Sequence, residues 1–275
     1  MKSFHSTLAA GAVAAAVASA DAALIAGWTM PSAFPTGTGN VPTGTFYRPP
    51  LAVNSDGTYN ANPNNGGTTW DSALAGRADV GDKKLLSGFE LSSTHQLSAS
   101  GANLTSYTSP AGNGSPYAFS SNVWKAGDWY QVAFSTVGYT GVSFSFDMTR
   151  SSTGPASWTI EMSTDGGASF GTTLSATFVP IVANAAGSGT VSWTSSTNQP
   201  VFTSTYSLGA AADDRAGLVI RIRALVDSVN SSNVFQAGGT ARVDNLMLNG
   251  TLVPAPGALA LLAAAGMVGG SRRRR

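Results

Sequence analysis

Val142-Ser-Phe-Ser-Phe-Asp-Met148 is the stretch whose reading decides the fold. In an extended chain Val142, Phe144, Phe146 and Met148 fall on one side and Ser143, Ser145 and Asp147 on the other, because strand side chains alternate with period two. A helix would scatter those four apolar residues around its circumference. One apolar face and one polar face predict a half-buried strand, the kind found in antiparallel sheets that pack on one side only. The expectation is therefore that Asp147 faces water.

The same pattern repeats on either side. Upstream, Tyr130, Val132 and Phe134 share one face of Trp129–Ser135, and Gly138-Tyr-Thr-Gly141 is expected to turn the chain. Downstream, Ser151-Ser-Thr-Gly-Pro155 reads as a turn, and Trp158, Ile160 and Met162 resume the alternation. Leu218, Ile220, Ile222 and Ala224 do so again, with Arg221 and Arg223 directed to water. In the last such segment Ala241 and Val243 share one phase while Leu246 and Leu248 share the other. A bulge at Asp244-Asn245 reconciles them, since one extra residue flips the face. Leu24–Trp28 reads as a first strand, and Phe89 and Leu91 alternate in another. Pro31–Lys84 reads as loops with short strands near Phe46–Val53, and Tyr107–Phe119 as a further loop.

Composition agrees, with 32 Gly and 13 Pro against few Lys and Glu. That balance disfavours long helices. Many short strands separated by turn signals predict an all-β, antiparallel two-sheet β-sandwich with a jelly-roll-like order. Phe144, Phe146, Trp158, Ile160, Ile220 and Ile222 are expected to meet in one core between the sheets.

The two ends of the chain read differently from its middle. Lys2 and His5 precede the apolar stretch Leu8–Ala18, and small residues follow around Ala18–Ala22. This is the layout of a cleavable secretory signal, with cleavage after Ala20 or Ala22 both fitting and Ala22 favoured. At the other end Val253-Pro-Ala-Pro256 interrupts regular structure, because proline lacks a donor and biases its predecessor to extended geometry. Gly257–Gly270, 14 residues without a polar side chain, predicts a short apolar helix, below the ~17–25 residues of a comfortable membrane span. Arg272, Arg273, Arg274 and Arg275 then fit the cytoplasmic edge of a membrane. The chain divides into a signal peptide (1–22), a β-sandwich domain (23–252) and a sorting and anchor segment (253–275).

The order of short motif, apolar run and terminal arginine cluster resembles the PEP-CTERM sorting signal of exported bacterial proteins, though Ala255 stands where that family usually carries glutamate. The body is similar to jelly-roll domains of the same class at Tyr107-Thr-Ser-Pro-Ala-Gly-Asn-Gly, Ser143-Phe-Ser-Phe-Asp and Arg242-Val-Asp-Asn-Leu. The resemblance implies transient inner-membrane anchoring, cutting near Val253, Pro254, Ala255 and Pro256 by an exosortase-like enzyme, and release to the cell surface or an exopolysaccharide matrix.

Removing Lys2 and Arg272–Arg275 leaves 10 basic residues, and removing Asp21 leaves 13 acidic ones, for a net charge of −3. A domain of that sign carries no electrostatic footprint for nucleic acid. Cysteine is absent, so the fold relies on its core and not on disulfides. Ser163-Thr-Asp-Gly-Gly-Ala-Ser-Phe170 has the Asp-box spacing and reads as a hairpin turn held by Asp165. His95 is the one histidine left after signal removal, and Glu90 and Glu161 are the two glutamates. Neither set forms a recognisable triad or acid–base pair. No cofactor is expected. A structural calcium ion is the one ligand considered, from loop carboxylates such as Asp56, Asp128 and Asp244, with no ligand set assigned. Of the six tryptophans, Trp124 and Trp129, next to Gly127 and Asp128, are the pair best placed for exposure on a loop, and even for these core or rim packing outweighs sugar binding. The reading is a non-enzymatic exported surface or matrix protein. The alternatives are a carbohydrate-binding module, marked by exposed aromatics on one sheet face, and a secreted hydrolase or lyase.

Overall fold

The computed structural model describes residues 22–30, 78–91, 107–108, 110–122, 124–183, 191–225 and 238–254. Two sheets face each other across one core. The first contains β1 (Ala22–Trp28), β3 (Tyr107–Thr108), β4 (Phe119–Ser121), β6 (Tyr139–Arg150), β9 (Ile181–Val182), β10 (Thr203–Ser207) and β12 (Ala241–Leu252). The second runs in the order β2 (Gly88–Leu91), β5 (Trp129–Phe134), β11 (Leu218–Ala224), β7 (Trp158–Ser163), β8 (Thr172–Phe178). Every pairing is antiparallel except the short one between β6 and β9. The chain is thus an all-β, two-sheet sandwich. The strands expected near Phe46–Val53 and the helix expected over Gly257–Gly270 lie outside the described residues.

The core forms where the alternation predicts it. Phe144, Phe146, Trp158, Ile160 and Ile220 are fully buried, Ile222 nearly so, and all six belong to one cluster. Tyr130 stacks on Trp158 and on Phe89, with Phe119 and Trp124 edge-on to it. These offset and edge-to-face arrangements suit the ring quadrupoles. Trp124 is therefore a core residue and not an exposed loop aromatic. Its ring packs edge-on against both Tyr130 and Trp158 at 4.8 Å, and its indole N–H donates to the Ser121 carbonyl.

β12 is the pivot of the first sheet. One side pairs with β6 along its length, while the other pairs first with β4 and then with β1. The expected bulge is present: β12 advances three residues from Asp244 to Met247 while β6 moves two, from Asp147 to Ser145. Asn245 takes the extra position in the left-handed region, at φ 46°, which asparagine tolerates better than most residues. The slip brings Ala241, Val243, Leu246 and Leu248 all into the core.

Two local expectations are corrected. The turn before β6 lies two residues earlier than Gly138–Gly141, with the Tyr139 N–H donating to the Thr136 carbonyl at 2.8 Å. Gly141 instead sits inside β6 at φ 61°, in a second irregularity opposite Asn249–Thr251. Asp147 is buried, not solvated. Residues 110–118 and 198–202 cover the outer side of the first sheet at this point, with Asn113 and Asn198 both reaching Asp147, so this part of the polar phase of β6 meets protein instead of water.

Candidate functional site

On the outer side of the second sheet the register aligns Gln131, Arg221, Glu161 and Thr173 in one row across four strands, with the backbone of Glu90 in β2 opposite Gln131. Arg221 donates through Nε and Nη2 to the Gln131 amide oxygen at 3.2 and 2.9 Å. Its guanidinium carbon lies 4.5 Å from the Trp129 ring centroid and 3.7 Å from that of Phe170. Planar guanidinium groups stack well on aromatic faces. In the adjoining row Arg223 forms an ion pair with Glu161, whose side chain is only 14 % exposed. The two arginines expected in water are therefore half-buried and engaged. The hydrogen bonds that the Arg223 guanidinium donates to the Glu161 carboxylate are the leading reason it is held above its ordinary pKa. This face offers flat polar groups and ring edges, a chemistry suited to a hydroxyl-rich ligand.

Phe170 reaches this face because the preceding turn is tightly tied. Asp165 accepts from the Ser163 hydroxyl, the Ser169 N–H and the Ser169 hydroxyl at 2.5, 2.9 and 2.6 Å. Gly166 and Gly167 supply φ values of 75° and 93°. These bonds hold the exposed Asp165 carboxyl well below the usual carboxylate range. The Asp-box thus acts as the hairpin its sequence predicts, and it delivers an aromatic ring that sequence reading left unassigned.

A second polar assembly lies under the 110–121 segment. The Asp244 carboxylate accepts from the Asn113 N–H at 2.8 Å, the Ser115 hydroxyl at 2.5 Å and the Asn245 N–H at 2.8 Å. Asp147 accepts from Asn113 Nδ2 at 3.0 Å, Asn245 Nδ2 at 2.9 Å and the Thr203 hydroxyl at 2.5 Å. Burial pushes the Asp244 carboxyl up to about 7, and the Asp147 charge adds to the rise against the lowering effect of the donors. Local pattern offers little warning of this, because Asn113 looks like an ordinary loop residue between two glycines and Asp147 like a solvated one. The oxygens of both carboxylates already take N–H and O–H donors, so this arrangement is a hydrogen-bond knot and not an open calcium cage. Among the described residues there is no group of three or more His, Cys, Asp or Glu side chains able to hold a metal. Asp128 accepts from the Lys125 N–H at 2.8 Å at a strand start. Asp56 and His95 lie outside the described residues.

The third feature is the point where the chain leaves the body. β12 ends at Leu252, opposite Tyr139, and the Val253 N–H donates to the Gly138 carbonyl at 2.8 Å. The side chains of Leu252, Val253 and Pro254 are exposed. β1 starts beside this exit, with Ala22 paired to Thr251. A cut after Ala20 leaves β1 whole, and one after Ala22 removes its first residue. Ala255, Pro256, Arg272, Arg273, Arg274 and Arg275 lie outside the described residues. Among the described residues no helix is long and apolar enough to cross a membrane.

Fold and surface together define a two-sheet β-sandwich with a covered outer face on one sheet and a polar–aromatic face on the other. The chain matches no protein-family model and no curated protein. Among solved structures it is similar to the K1 cleaved adhesin domain of Lys-gingipain from Porphyromonas gingivalis W83, at 12 % identity and TM-score 0.35 over 58 % of this chain and 89 % of that one. It is similar also to the N-terminal cellulose-binding domain of Cellulomonas fimi β-1,4-glucanase C, at 15 % identity and TM-score 0.30 over 49 % of this chain and 79 % of that one. The K2 cleaved adhesin domain of Lys-gingipain gives 17 % identity and TM-score 0.30 over 60 % of this chain and 83 % of that one. Similarity at these scores transfers no function to this chain.

Proposed function

We propose that the protein is a non-catalytic, exported surface or matrix component of the PEP-CTERM class, delivered by its signal peptide and cut at Val253–Pro256 by an exosortase-like enzyme. The observation that supports this reading is the completeness of the sandwich before the exit. The last core strand ends at Leu252, and the side chains from Leu252 to Pro254 face outward. A cut there detaches the apolar run and the arginines without opening the core. The test is intact-mass measurement on protein released from cells that hold a matching sorting enzyme. Loss of everything after Val253–Pro256 is expected, and recovery of chains still ending at Arg275 refutes the reading.

A second reading, carbohydrate binding, draws on the row Gln131–Arg221–Glu161 flanked by Trp129 and Phe170. Exopolysaccharide is the ligand class that suits a surface location. Replacing Trp129 by Ala should weaken retardation of the protein in gels containing the cell's own polysaccharide, and equal retardation of both proteins rejects this face. A hydrolase reading fares worse. Glu90 and Glu161 are three strand spacings apart in register, about 14 Å between their backbones at ~4.8 Å per strand. Paired glycosidase carboxyls stand about 5–9.5 Å apart, and Glu161 is already committed to Arg223.

A further inference from the structure

We infer that the end of the sandwich carrying Val137, Leu252 and Val253 lies against the lipid surface while the tail is still attached. The inference rests on the sorting reading above and names the surface that reading leaves open. Three observations converge on this end.

First, the tail joins the body at this end. β12 ends at Leu252 beside the start of β1, with Ala22 paired to Thr251, and the apolar run Gly257–Gly270 follows in the sequence. Only Val253–Pro256 separates that run from the sheet. Four extended residues span at most about 14 Å, while the polar headgroup layer of a bilayer is about 5–8 Å thick on each side. A tether that short holds this end of the body within a few ångströms of the headgroups.

Second, the side chains gathered there are apolar and exposed. Val137 at the turn before β6 is 45 % exposed, Leu252 is 53 % and Val253 is 44 %. Val137 belongs to this group because the adjacent Gly138 carbonyl receives the Val253 N–H.

Third, the nearby charges are balanced closely enough to let apolar contact decide. Lys83 and Arg215 stand against Asp82, Asp213 and Asp214. Asp214 accepts from the Gly138 N–H at 2.8 Å and Asp213 from the Gly141 N–H at 2.9 Å, which turns both carboxylates toward the body. Lys83 pairs with Asp82 at 3.1 Å. Apolar side chains at such a surface settle at the boundary of headgroups and acyl chains.

The absence of cysteine makes the test direct. Single-cysteine variants of the full chain, V137C, L252C and S152C, each take an environment-sensitive fluorophore and enter vesicles of phosphatidylethanolamine and phosphatidylglycerol containing spin-labelled lipid. Ser152 follows the opposite end of β6, roughly 40 Å from Tyr139 at ~3.3 Å per residue. Strong lipid quenching at 137 and 252, with about fivefold less at 152, is expected for a body standing end-on. Equal quenching at all three sites, or none at 137 and 252 in protein that floats with the vesicles, overturns the inference while leaving the anchor intact. Protein that does not float at all defeats the anchoring reading and this inference with it. A signal that follows protein-to-lipid ratio and ignores the spin label assigns the face to a second copy instead, and also overturns it.

Discussion

Replacing Asp244 by Asn should flatten the pH dependence of stability. The carboxyl of Asp244 is wholly enclosed beneath the 110–121 segment, beside Asp147, and its pKa rises from 3.8 to about 7 in the fold. A folded pKa above the unfolded one means that the group's contribution is fully present below pH ~4 and is lost as pH climbs through ~7. A rise of about three units corresponds to about 4 kcal/mol across that window, with the curve flat beyond it. Asparagine keeps the shape and carries no charge. Its amide nitrogen, however, meets donors where a carboxylate oxygen stood, which should cost about 1–2 kcal/mol. The variant is therefore expected to be weaker than the native protein at pH 4 and stronger at pH 8. Asp79, whose carboxyl burial also raises, is common to both proteins and cancels in the difference. Urea unfolding followed by tryptophan fluorescence from pH 4 to 8 reads the two curves. If they run parallel throughout, ionisation of Asp244 is not the source of strain that its burial implies.

Phe146→Ala should lose about 3–5 kcal/mol of stability, because the ring is fully buried between the sheets against Phe144, Phe178 and Tyr206; a smaller loss in a thermal or chemical melt would reject its central place. Gly112→Ala should unlatch the 110–121 segment, since a Cβ there would stand 1.8 Å from the Ser115 hydroxyl oxygen and 2.4 Å from an Asp244 oxygen; faster amide exchange in that segment is the readout. Asp165→Ala should loosen the hairpin ahead of Phe170 and free Arg221 on one side, visible as changed exchange at Gly167 and Ser169 with the core melt little altered. Changing Arg272–Arg275 to serine should reduce tail processing in cells, checked by the fraction of released protein whose mass ends near Val253.

The legible part of this fold was the part where one face of a strand is dry and the other wet. β5, β6, β7 and β11 alternate cleanly because they lie inside their sheets with neighbours on both edges, and the phase break at Asp244-Asn245 is visible as two apolar pairs out of step. β8 and β10 passed unseen. They are edge strands made mostly of Thr, Ser and Ala, with only Leu174 and Phe178 in β8 and Tyr206 in β10 reaching the core, so no regular apolar period marks them. Asp147 misled for the opposite reason: its alternation is correct, but the cover over the outer face comes from distant loops that no local pattern announces. Trp124 misled likewise, since a Gly-Asp turn beside it suggested exposure while its ring points inward. Of the candidate surfaces, Trp129 and Arg221 were visible as residues but not as a stacked group, because Phe170 joins them only through the register of β7 and its hairpin. The sorting proposal rests on the order of chemical types over 253–275 and on nothing in the sandwich.

The partnership of β1 with β12 has a consequence for how the chain reaches its destination. β1 touches residues 79–83 through the bridge of Gly27 to Val80 and a few backbone hydrogen bonds, but its ladder partner is β12, and β6 waits for the same strand along most of its length. Long-range closure of this kind slows folding, because loop entropy is spent before contacts return it. In a chain threaded outward in the proposed way, the first sheet stays open until residues 241–252 have followed. Such a chain would remain slack enough to pass through a narrow pore, and would harden only as its exit end clears the membrane.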